Sequence, residues 1–106
     1  MLGEKQFSVK QKISTMQRYI IVHSILYYEK NSSVIPDKKF DDVAKELVKY
    51  KNKYREEYKK SEYYYCMKDF DGSTGFDLYS KLTWEDRAFL EAIANDVLTQ
   101  YKFAEE

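Results

Sequence analysis

A chain of 106 residues has room for one domain and little more. Its 18 basic and 18 acidic side chains cancel, so no net field marks it as a general nucleic-acid binder. A charged fraction of 34% beside 43% hydrophobic residues excludes a disordered chain, and eleven Tyr, six Phe and one Trp offer large rings for a core.

The first periodic stretch opens at Ser8, with Gln11 three residues on as a reciprocal capping partner. Val9, Ile13, Met16, Ile20, His23 and Tyr27 then recur at spacings of three and four, which predicts one apolar helix face ending near Lys30. Asn31, Ser32 and Ser33 favour a turn, and Pro36, the only proline, biases Ile35 toward an extended conformation. Asp37 is placed to cap a second helix, with Phe40, Val43, Leu47, Tyr50 and Tyr54 facing inward and an end near Lys60.

Between Ser61 and Phe76 the period breaks. Tyr63, Tyr64 and Tyr65 have β propensity, so a short aromatic strand or an irregular aromatic segment is expected there, followed by a loop over Asp71 to Gly75. Phe76 to Lys81 reads as a short helical turn. The last helix opens at Thr83, with Asp86 as a weaker capping partner, and carries Phe89, Leu90, Ile93, Val97 and Tyr101. The expected fold is mostly α: a single domain over 1–106 made of a helical hairpin at 8–60, an aromatic and glycine-bearing segment at 61–82, and a C-terminal helix at 83–103 packed across them.

Charge is polarised along this order. Residues 1–68 hold fifteen basic and nine acidic side chains, whereas residues 69–106 hold three and nine. Such a chain can turn its basic half toward an anionic partner and its acidic half toward a protein, with a protein-contact surface expected within residues 61–106. Lys49, Lys51, Lys53, Arg55, Lys59 and Lys60 interleave with Tyr50, Tyr54 and Tyr58, but those tyrosines fall on one helical face, so the run reads as a solvated flank rather than a nucleic-acid surface. Asp69 to Thr74 reads as a polar turn; the spacing fails for a calcium loop. The lone Cys66 and lone His23 exclude an intramolecular disulfide and a structural zinc site, and no Ser/His/Asp or Cys/His set can be nominated for nucleophilic catalysis. No apolar run approaches the roughly 18 residues of a membrane span, and the N-terminus lacks a secretory pattern, so the chain is expected to be cytoplasmic.

One stretch carries more information. Tyr27 and Tyr28 close the first helix, a short loop leads to Ile35-Pro36-Asp37, and two residues later come Phe40 and Asp41. This run resembles the N-terminal helical subdomain, called Ia, of bacterial NAD-dependent DNA ligases, and its spacing matches without a gap from His23 to Leu47. Val43-Ala44-Lys45-Glu46-Leu47 falls where that family has Leu-x-x-Glu-Leu. Tyr27, Asp37 and Asp41 match the family pattern directly. Tyr28 stands where many ligases have His, and Phe40 where they have Tyr.

The resemblance implies that Tyr27, Tyr28, Asp37, Phe40 and Asp41 hold the nicotinamide mononucleotide half of NAD, rings stacking on the nicotinamide and carboxylates bonding its amide and ribose. It implies no catalysis by this chain. The adenylation chemistry of those ligases needs a Lys-x-Asp-Gly motif, and Lys68-Asp69-Phe70-Asp71-Gly72 is one residue too long. Two functions are therefore expected: a non-catalytic module that binds nicotinamide mononucleotide, NAD or a related nucleotide, or a protein-interaction module on the same scaffold, such as an accessory or inhibitory factor of a phage or other mobile element.

Overall fold

A computed structural model describes the backbone of residues 2–105 and the side chains of residues 9–102. The fold is mostly α. In chain order it comprises α1 (Leu2–Ser24), a π turn (Ile25–Glu29), α2 (Asp37–Lys53), α3 (Arg55–Lys59), α4 (Tyr64–Met67), α5 (Leu78–Lys81) and α6 (Trp84–Glu105). The longest elements, α1 and α6, run about 35 and 33 Å within an outline of 46 × 26 × 24 Å. No described helix is long and apolar enough to cross a membrane.

The central element is α1, which packs against α2, α3, α5 and α6. That position explains why its buried residues exceed one stripe. Val9, Ile13 and Ile20 are inside as their spacing predicts, but so are Ile21, Val22, Ile25 and Leu26, on both sides of it. Tyr27 ends outside the core, at 54% exposure, because the helix has widened into the π turn before reaching it. The helix also starts earlier than its expected cap: Ser8 lies within α1, and its side chain lies outside the described residues.

The second helix is shorter than its pattern suggests. It ends at Lys53, where Tyr54 takes φ −119°, ψ 60°, and α3 then restarts the chain in a new direction. The break lets Tyr58 enter the core, where its hydroxyl donates to the Met67 carbonyl at 2.6 Å. Burial pushes that hydroxyl up to about 12, so it remains a donor. Gln17, fully buried on α1, donates to Ser61 Oγ at 2.8 Å and ties the same corner to the central helix.

The expected aromatic strand is absent. Tyr64 to Met67 form a helical turn, with Tyr63, Cys66 and Met67 buried. The β propensity of three consecutive tyrosines is overridden because the turn puts Tyr63 inward and Tyr65 outward, where each has a use. Tyr65 donates to Asp86 Oδ2 at 2.5 Å and accepts the Thr83 N–H at 3.2 Å. Thr83 Oγ1 in turn accepts the Asp86 N–H at 3.2 Å, so the start of α6 is a capping box with a tyrosine hydroxyl inserted into it. The face of α6 turned inward is carried by Leu90 and Ala94 with Ile93, Val97 and Leu98 beside them. Phe89 and Tyr101, expected inside, are exposed.

Candidate functional site

The site begins with the way α1 stops. Lys30 N–H bonds to Ile25 O at 3.1 Å, a five-residue step that widens the last turn. Asn31 then takes φ 50°, a left-handed conformation that asparagine tolerates, and Ser32 N–H reaches back to Leu26 O at 2.8 Å. The chain is reversed and Tyr27 and Tyr28 are left on the outer side of the turn, their rings edge to face at 4.8 Å and 79°. Val34 packs against the core and anchors the return segment, which runs to Pro36.

Pro36, not Asp37, occupies the N-cap of α2, with φ −64° and ψ 148°, and makes no side-chain capping bond. Asp37 is the first residue inside the helix. Its carboxylate is therefore not used to cap the helix, as the sequence led one to expect, but sits in the first turn, where the helix dipole favours a negative charge. Asp41 follows one turn later on the same face. Among the described residues neither carboxylate makes a hydrogen bond or ion pair, whereas the adjacent Asp42 is paired with Lys38 at 3.5 Å.

A third segment completes the site, from a part of the chain that the resemblance does not cover. The loop over residues 71–76 folds back across α1 and α2. Gly72, at φ +88°, lies on α2 close to Val48 and Ala44, and Gly75 is buried against Ser24. Asp71 holds the loop internally, accepting Ser73 N–H at 2.9 Å and Ser73 Oγ at 2.5 Å, and these bonds hold its carboxyl below the usual range. Tyr28 and Thr74 share a hydrogen bond of 2.8 Å across the junction.

Together the three segments border an open cleft of about 270 Å³, in which Asp37, Asp41, Tyr27 and Tyr28 remain exposed to solvent. Tyr27, Tyr28, Asp37, Phe40 and Asp41 all line it, with His23 and Ser24 from α1, Ser32 to Ile35 from the return loop, and Ser73 and Thr74 from the third segment. The only trace of this third wall in the sequence is the pair of glycines. Each permits a backbone approach that a side chain would block, but neither says what is approached.

The wall chemistry is mixed: two unpaired carboxylates, phenol and phenyl rings, and several hydroxyls. His23 adds an imidazole whose ring lies 4.4 Å from that of Tyr19. Burial, and secondarily the charge of Lys39, lower its pKa from the ordinary 6.5, so it is neutral at pH 7. The unfolded chain takes up this proton near 6.5 and the folded chain only at lower pH, so stability falls as pH drops through that window. The urea midpoint is expected to decline between about pH 7 and pH 5.5 more steeply in the native chain than in His23→Gln. Equal slopes would contradict this assignment.

The other constellations behave differently. Lys51 donates to the Phe70 carbonyl at 3.0 Å, Lys53 lies over the Tyr54 ring, and Lys49 and Lys59 pair with Glu46 and Glu56. Those cations are engaged with the protein itself rather than arrayed along an open groove. Cys66 is buried and its thiol is pushed up to about 11 by desolvation, which makes it a packing residue and not a nucleophile. Among the described residues no cluster of His, Cys, Asp and Glu has the arrangement of a metal site. No protein-family model, curated protein or solved structure matches the chain.

Proposed function

We propose that this chain is a non-catalytic binding module, related to the Ia subdomain of NAD-dependent DNA ligases, that holds nicotinamide mononucleotide or the corresponding half of NAD in the cavity between α1, α2 and the 71–76 loop. One observation carries the reading. Five residues singled out by a sequence resemblance line a single cavity, and its two acids are left unpaired by the fold.

The chemistry agrees with that ligand. A pyridinium ring is flat and cationic, which suits aromatic faces and nearby carboxylates together. The ribose presents hydroxyl donors to carboxylate acceptors, and the carboxamide matches the hydroxyls of the return and third loops. The catalytic lysine motif of the ligases is missing from the sequence, so the reading is one of binding alone. Calorimetric titration with nicotinamide mononucleotide tests it: saturable heat with micromolar to millimolar affinity, roughly 4–8 kcal/mol, is expected. No heat at millimolar ligand would retire the proposal.

A second reading has one observation in its favour. Trp84 is 78% exposed and Phe89 53% exposed on α6, in the acidic half of the chain. Large apolar rings in solvent are what a protein partner covers. This reading makes no use of the cavity, so a chain that fails to bind the nucleotide is the one it describes.

A further inference from the structure

We propose that the site extends past the cavity onto Phe76, and that its ligand is a dinucleotide whose second base stacks on that ring. This rests on the nicotinamide reading above and deepens it. The cavity, at about 270 Å³, lies just under the roughly 300–1,000 Å³ of pockets that engulf a drug-sized ligand. It accommodates one ring and its sugar, and a second nucleotide unit has to lie outside.

What lies immediately outside is aromatic. Tyr28 lines the cavity and also meets Phe76 edge to face at 5.3 Å and 86°, so the rings of Tyr27, Tyr28 and Phe76 form one continuous rim. None of the three belongs to the core, and Phe76 is 68% exposed. A T-shaped contact occupies at most one face of the Phe76 ring and leaves the other open. Nucleobases stack on such faces without sequence preference, because every base presents a π surface.

The backbone that carries the ring is also held in place before any ligand arrives. Thr74 Oγ1 accepts the Phe76 N–H at 3.2 Å while it shares its bond with Tyr28, and Gly75 seats the backbone between them against Ser24. Fixing the platform in advance removes an ordering cost from binding. A protein partner would explain an exposed phenylalanine as well, but not its continuity with a cavity that fits half of the dinucleotide.

The test is calorimetry of the native chain and two variants with nicotinamide mononucleotide and with NAD. The native chain should bind NAD about tenfold more tightly than the mononucleotide. Phe76→Leu, which keeps an apolar contact with Tyr28 but cannot stack, should lose that advantage while its mononucleotide affinity stays within twofold. Phe76→Trp should keep or increase it. Equal affinities in the native chain, or a Phe76→Leu variant that weakens both ligands alike, would overturn the extension and leave the nicotinamide reading standing. Absence of mononucleotide binding in the native chain would instead remove the reading beneath it, and the extension with it.

Discussion

Replacing both cavity acids by amides, in the Asp37→Asn, Asp41→Asn double variant, is expected to weaken nicotinamide mononucleotide binding about thirtyfold, roughly 2 kcal/mol, and leave stability almost unchanged. The amides keep the size of the carboxylates and one acceptor each but lose the charge that roughly doubles the strength of a hydrogen bond. They also lose the attraction for a cationic ring. Stability has little to lose. Neither acid caps the helix or pairs with another described residue, and two like charges one turn apart repel each other. Only the helix-dipole contribution of Asp37 is forfeited, and surface changes of this kind stay within about 0.5 kcal/mol. Calorimetry and urea unfolding on the same preparation read the two effects. A loss of stability above about 1 kcal/mol would mean that the acids serve the fold rather than a ligand.

Parts of this site were open to sequence reasoning because they are local. The step from Tyr27 to Asp41 covers one helix end, one loop and one helix start, and Pro36 fixes where the second helix begins. Spacing along such a segment translates into geometry with little freedom. Even so, the local reading erred on Asp37, because a residue before a helix and the first residue within it share the same preference for acids. Tyr54 misled in another way. Its place in a four-residue tyrosine series continued the helical pattern, and the break there answers to Tyr58 reaching Met67, a contact no periodicity encodes.

The third wall was illegible for the same reason on a larger scale. Thr74 meets Tyr28 across 46 positions of sequence, through a loop whose composition says only that it turns. Tyr63 to Tyr65 were misjudged because propensity weighs each residue alone. Their actual conformation is set by a buried ring at 63 and by a hydroxyl at 65 wanted by the cap of α6. The mostly helical architecture was legible because long periodic stretches dominate it, whereas the pieces that close the cavity are short and held by distant contacts.

Those distant contacts converge on Gly75, and Gly75→Ala is expected to cost about 1–3 kcal/mol of stability, lowering the thermal midpoint by at least 4 °C. An added Cβ would overlap Ser24 Oγ and lie 2.9 Å from Ser24 Cβ, with Leu78 Cδ1 at 3.2 Å. The hydroxyl is not free to move aside at no cost, since it donates to Ile20 O at 2.7 Å within α1. Ser24→Ala in the same chain should therefore recover part of the loss but not all, because the Cβ contact remains; an interaction energy of about 0.5 kcal/mol or more in the double-mutant cycle is the signature. Gly72→Ala serves as the contrast. Its penalty comes from φ +88° and from Val48 on α2, so Ser24→Ala should do nothing for it. If Ser24→Ala rescues neither glycine variant, the loop is not seated on α1. If it rescues Gly75→Ala alone, the 71–76 segment is held against α1 at that one point, and the positions of Thr74 and Phe76 beside the cavity follow from that seat.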